Sequence, residues 1–163
     1  MKKSVKKEIR VLIHHFDFKI SVKQFQNEKF SILEFEDGWF KISGYRYLSE
    51  DFIREFQDKV SWRQISRYQK LSEEFIREFQ DKVNWPKVSC YQKLSEDFIR
   101  EFKHRVYWNN ISAYQYLTKE FKEEFLEWWH PVEYERRLKE KLYEEFKQLN
   151  NDLPKHSIQW LEV

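Results

Sequence analysis

LSEEFIREFQDKVNWPKVSCYQK, residues 71–93, lies between two near copies of itself, one beginning at Leu48 and one at Leu94, and a fourth copy opens at Leu117 as LTKEFKEEF before the sequence departs after Phe125. The period is 23 residues. In the first half of each unit Leu48, Phe52 and Phe56, then Leu71, Phe75 and Phe79, then Leu94, Phe98 and Phe102 fall at i, i+4 and i+8, the spacing of one helical face. Ser49, Ser72, Ser95 and Thr118 stand just before that face. A hydroxyl there can accept a bond from an unpaired backbone N–H, and the acids that follow suit the positive end of a helix.

The second half of each unit carries Trp62, Ile65 and Tyr68, then Trp85, Val88 and Tyr91, then Trp108, Ile111 and Tyr114. This step of three also fits a helix. Pro86 supports it, because a proline directly after Asn84 and Trp85 belongs in a first turn, where its missing N–H needs no partner and Asn84 is the cap. Each unit therefore reads as two short helices joined by a bend near Asp81, Lys82 and Val83. Neither helix is long enough to be stable alone in water, so successive pairs must stack and bury one another's aromatic faces. The expected fold is mainly α, with two-helix repeats stacked as an α-solenoid. The aromatic load, 15 Phe, 9 Tyr and 7 Trp, is read as core, and the in-register Trp62, Trp85 and Trp108 as buried between helices.

Outside the clear copies the period fades. Trp39, Ile42, Ser43 and Tyr45 precede Trp62, Ile65, Ser66 and Tyr68 by one period, which places a second helix at 39–47. FSILEFEDGWFKIS also has the Asp-Gly pair and flanking apolar residues of a hairpin, so the segment before Asp37 is open to a strand reading. Residues 9–22, IRVLIHHFDFKISV, are rich in β-branched and aromatic residues and read as one or two strands paired with 30–36, part of an N-terminal cap over 1–38. The repeat array is assigned to 39–129. Beyond the break at His130-Pro131, VEYERRLKEKLYEEFKQLN reads as a longer capping helix within a C-terminal region of 130–163.

No apolar run approaches the roughly 20 residues that cross a bilayer, and MKKSVKKEIRV does not lead into a cleavage signal, so the expected setting is cytoplasmic, away from membranes. Cys90 is the single cysteine and can form no internal disulfide. The five histidines have no spacing typical of metal ligation, Gly38 and Gly44 build no phosphate loop, and the recurrent Ser43, Ser66, Ser89 and Ser112 are better explained as small residues at helix contacts than as nucleophiles. Neither a catalytic centre nor a cofactor or metal is expected. Because repeats must stay alike to stack, the surface that specifies a partner is sought where they differ: Arg63, Pro86 and Asn109; Lys87; Arg67 and Cys90; and Tyr116. A protein partner is the first expectation, self-assembly through Trp160 and the C-terminal helix another. Nucleic acid is the alternative, drawing on Lys2, Lys3, Lys6, Lys7 and Arg10 in an N-terminal stretch with seven basic and two acidic residues over 1–24, and on Arg54, Arg77 and Arg100. The Arg ridge has Glu55, Glu78 and Glu101 beside it, which favours ion-paired surface over phosphate binding.

The motif L-S-E-D/E-F-I-R-E-F-x-x-x-V-x-W-x-x-I/V-S-x-Y-Q resembles short repeats of uncharacterised proteins of bacteria, bacteriophages and large DNA viruses, closely over 48–125 and weakly over 39–47. The resemblance brings no catalytic residue with it. It implies a viral or mobile-element context, in which a compact repeat protein would bind and modulate a host protein.

Overall fold

The structure is a computed structural model and describes residues 1–18, 20–26, 38–45 and 47–152, with the backbone alone for 26 and 150–152. The described residues are mainly helical and contain no strand. They fall into two compact units, Met1–Gln115 and Tyr116–Val163.

In the first unit each period gives two helices. The first helices are α4 (Glu50–Glu55), α6 (Glu73–Glu78) and α8 (Glu96–Glu101), and the second are α5 (Trp62–Tyr68), α7 (Trp85–Tyr91) and α9 (Trp108–Tyr114). They are introduced upstream by α1 (Lys3–His15), α2 (Val22–Gln26) and α3 (Gly38–Ser43). The caps are those the sequence specifies. The hydroxyls of Ser49, Ser72 and Ser95 accept from the amides of Phe52, Phe75 and Phe98, each at 3.1 Å. Asn84 accepts from the Lys87 amide at 3.2 Å beside Pro86 in the first turn of α7. α3 packs on α5, α5 on α7 and α7 on α9.

Four side-chain ladders tie one period to the next. The Gln92 carbonyl oxygen accepts from the Leu71 amide at 3.0 Å while its Nε2 donates to the carbonyls of Ser66 (2.9 Å) and Gln69 (2.8 Å). Gln69 and Gln115 repeat this toward Leu48 and Leu94. The buried hydroxyls of Ser43, Ser66 and Ser89 accept from the amides of Ser61, Asn84 and Tyr107. Glu50 and Glu73 accept from the amides of Ser72 and Ser95 at 2.7 and 2.6 Å. Finally, Arg54 donates to Glu78 and Arg77 to Glu101, each at 2.8 Å. The apolar layer between periods is made by rings: Trp62 stands 5.0 Å from Phe79, Trp85 5.0 Å from Phe102, and Trp39 in α3 takes the same position 5.2 Å from Phe56. Ile53, Ile76 and Ile99 complete it with no exposed surface. Trp108 is buried, but Trp62 and Trp85 are half-buried at the edge of the layer, each sending its indole N–H to a backbone carbonyl in the preceding bend.

The N-terminal strands expected over 9–22 are corrected by α1 and α2. Val5, Ile9 and Leu12 lie at i, i+4 and i+7 and are the buried residues of α1, a helical stripe that outweighs the β-branched composition. The helix ends in a Schellman turn, with the Phe18 amide bonded to the Ile13 carbonyl, the Asp17 amide to the His14 carbonyl, and Asp17 at φ 52°, a conformation that Asp tolerates better than most side chains. Glu8 of α1 accepts from the Ser49 amide at 2.9 Å and its hydroxyl at 2.6 Å, the service that Glu50 gives Ser72. α1 thus supplies the bond that a preceding first helix would supply. The strand reading of 30–36 and the tail after Asp152 lie outside the described residues.

The second unit contains α10 (Lys119–Glu124), α11 (Leu126–Trp129) and α12 (Pro131–Asp152). Thr118 caps α10 through the Phe121 amide, and Phe121 and Phe125 stack at 4.7 Å. α12 begins at Pro131, in keeping with the expected break, and packs on α11. Its charged face is cross-linked. Glu133 accepts from Arg136 and Arg137, which hold its carboxyl down to about 2, and Arg136 also bonds Glu140. Its apolar residues Leu138, Leu142, Phe146 and Leu149 are exposed.

Candidate partner-binding surface

The two halves of the period carry different charge. Residues 61–70, 84–93 and 107–116, together with 38–47, contain no Asp or Glu, and their charged residues are all basic. The first-helix halves mix both signs, and the structure spends those charges internally. Arg54 reaches Glu50 and Asp51 in its own helix as well as Glu78, and Arg77 does the same with Glu73, Glu74 and Glu101. The hydrogen bond that Arg77 donates to the Glu101 carboxylate, together with that group's negative charge, raises the pKa of the Arg77 guanidinium above its ordinary value. Both guanidinium groups also stand over a phenyl ring, Arg54 over Phe75 with its central carbon 4.9 Å from the ring centre and Arg77 over Phe98 at 5.0 Å. Arg100 bonds Asp97 at 2.9 Å. The Arg ridge is therefore a set of clasps between and within periods.

On the second-helix side the rings face out. Tyr68 and Tyr91 are each 47% exposed and Tyr114 is 60% exposed, against the expectation that they would share the core with Trp and Ile. The reason is rotational. Three residues advance a helix by about 300°, so two such steps carry the third residue of Trp-x-x-Ile-x-x-Tyr about 120° away from the first and out of the buried stripe. Arg67 lies between two of these rings, its guanidinium carbon 5.0 Å from the centre of Tyr68 and 5.3 Å from that of Tyr91, and the Lys87 ammonium stands 5.6 Å from Tyr91. At the α1 end, Phe40, Tyr45, Tyr47 and Tyr68 wall a recess of about 660 Å³ whose floor reaches Gly44 and Gln64 and whose rim carries His15 and Lys41. A second groove of similar volume runs between periods past Arg67, Lys70, Tyr91 and Lys93, and Glu73 and Glu74 border it.

The partner-binding residues expected from repeat differences divide. Arg67 and Lys87 join this strip, Arg63 and Asn109 are exposed on the same set of helices, and Pro86 and Cys90 are half-buried in α7. Tyr116 is fully exposed and begins the second unit. Of the residues considered for nucleic acid, Lys3, Lys6, Lys7 and Arg10 lie exposed on α1, and Lys2 is paired with Asp51 at 2.6 Å. Phe40, Tyr68 and Tyr91 were missed as surface residues, although the complete lack of acids in their half of the period is visible in the sequence.

Among the described residues no group of three or more His, Cys, Asp or Glu side chains is placed to hold a metal ion, and no helix is long and apolar enough to cross a membrane. Comparison of the chain with protein-family models, with curated proteins and with solved structures gives no match.

Proposed function

We propose that the first unit is a short α-solenoid and that the protein is a non-enzymatic protein-binding module, with the second-helix strip as its contact surface. The observation that carries this reading is the contrast within each period. The buried Phe, Ile, Ser and Gln positions are near identical and tie the periods together, while the outward residues of the second-helix half combine large rings, cations and no acid. Exposed Tyr and Arg are the side chains that concentrate binding energy in protein interfaces. The resemblance of the repeats to those of phage and viral proteins supports a host protein as the target. Affinity capture from host extract, with the chain and with a Tyr68→Ala, Arg67→Ala, Tyr91→Ala triple variant of unchanged helicity, tests it. The same partner should be depleted at least about tenfold on the variant, and equal recovery on both would remove the strip from the interaction.

A second reading, self-association, draws on α12, where Leu142 (55%), Phe146 (53%) and Leu149 (65%) are exposed on a helix of 22 residues. Sedimentation that shows a concentration-dependent dimer abolished by Leu142→Glu and Phe146→Glu would support it, and a monomer at high concentration would dismiss it.

A further inference from the structure

The charge and geometry of the strip narrow the partner's chemistry. We propose that α3, α5 and α7 take an extended, acidic segment of a partner protein, its carboxylates on Lys41, Arg67 and Lys87 and an aromatic or other large apolar anchor in the recess beside α1. This rests on the protein-binding reading and adds the nature of the bound segment.

Three observations support it. Charge comes first: the second-helix halves carry Lys41, Arg63, Arg67, Lys70, Lys87 and Lys93 with no acid among them, so an anionic partner meets no like charge from these helices. The second is the seating of Arg67. Its guanidinium carbon lies 5.0 Å from the centre of the Tyr68 ring and 5.3 Å from that of Tyr91, and its planar N–H fork is the group that matches a carboxylate. The third is the recess, aromatic on several sides and about 660 Å³ in volume, which suits a bulky apolar side chain and not a chain of phosphates. Helices packed about 8–10 Å apart put α3 and α7 about 20 Å from one another, which about six residues of extended chain would span.

The same observations disfavour single-stranded nucleic acid. Base stacking needs open ring faces, whereas Tyr68 and Tyr91 already carry cations against them.

The test is selection from a phage-displayed library of random peptides about 12 residues long on the immobilised full-length chain, with a random single-stranded RNA pool of about 16 nucleotides as a parallel arm. Enriched peptides should be acidic and carry an aromatic or large aliphatic residue. The best of them, synthesised and titrated by fluorescence polarisation, should bind at least about tenfold more weakly to Arg67→Glu and to the Lys41→Glu, Lys87→Glu pair, and more weakly as salt rises. Arg67→Gln should give a smaller loss, and circular dichroism should show all variants folded. Enrichment of peptides with no acidic excess would overturn the charge assignment while leaving the protein-binding reading to the capture experiment. Failure to enrich any peptide, or retention of RNA through these same residues, would overturn the proposal outright.

Discussion

Gln92 is the side chain on which the joining of the first and second periods most depends. Gln92 is 5% exposed and its amide makes three bonds to backbone groups: one accepted from the Leu71 amide at the start of its own period, and two donated to the Ser66 and Gln69 carbonyls of the preceding one. Gln92→Ala strands a buried N–H, at about 1–3 kcal/mol, and removes a donor from two carbonyls, part of which water entering the vacated space restores. The expected loss is about 2–4 kcal/mol, a large share of the roughly 5–15 kcal/mol that holds a unit of this size. At about 4–8 °C per kcal/mol the melting temperature should fall by about 8–32 °C. Calorimetry gives the total, and amide exchange localises it, since the Leu71 N–H should lose protection first. Gln57→Ala is the control: that amide serves only an exposed Lys82 ammonium, so its loss should stay within about 0.5 kcal/mol. Gln92→Glu adds a second readout. An ionised carboxylate would face the Ser66 and Gln69 carbonyl oxygens, so the protonated form is the one that fits, and the variant's deficit should shrink as pH falls from neutrality into the acid range. A Gln92→Ala protein that melts within about 0.5 kcal/mol of the parent, or that keeps the Leu71 amide protected, would refute the ladder as a source of stability.

Other substitutions separate the remaining contacts. Ser89 and Ser112 occupy the same place in successive periods, but Ser89 is buried and accepts from the Tyr107 amide at 3.0 Å while Ser112 is exposed; Ser89→Ala should cost about 1–3 kcal/mol by urea denaturation and Ser112→Ala almost nothing. The Arg77–Glu101 clasp is more than a third exposed, so a double-mutant cycle should find about 0.5–1 kcal/mol of coupling that fades in high salt. In α12, the bonds from Arg136 and Arg137 hold the Glu133 carboxyl at about 2, below the usual carboxylate range. Its stabilising effect is therefore complete above the unfolded value, near 4.5, and lost as pH falls through about 2; a carbon-13 titration of the Glu133 carboxyl that shows an ordinary midpoint would remove the cluster.

The helical repeat was legible because its signals are local. The Ser caps, Pro86 after Asn84, and Leu71, Phe75 and Phe79 at spacings of four need nothing from the rest of the chain to be read. The Gln ladder was not, since Gln69, Gln92 and Gln115 look like surface residues until the preceding period's backbone is set against them. A polar residue held constant at Gln92 while its neighbour Cys90 differs from Arg67 and Ala113 was the available clue. α1 was misread because the β-branched and aromatic residues of 9–22 suggested a strand, whereas burial follows Val5, Ile9 and Leu12. The candidate surface was half legible: the variation at Arg67 and Lys87 pointed to the right helices, but the tyrosines between them were assigned to the core because a step of three was treated as if it held one face indefinitely.

Each bond between periods joins residues at a fixed offset, 26 for Gln92 to Ser66, 18 for Ser66 to Asn84, 22 for Glu50 to Ser72 and 24 for Arg54 to Glu78. Deleting residues 71–93 would join Lys70 to Leu94 and return a partner of the same kind to most of these offsets: Ser66 would meet Tyr107, and Glu50 would meet Ser95. Duplication of the same stretch is equally neutral. A gene encoding such a chain can therefore gain or lose whole periods by recombination between its own near-identical segments, lengthening or shortening the exposed tyrosine row in steps of one helix pair without redesigning either the interior or the Glu8 closure at the N-terminus.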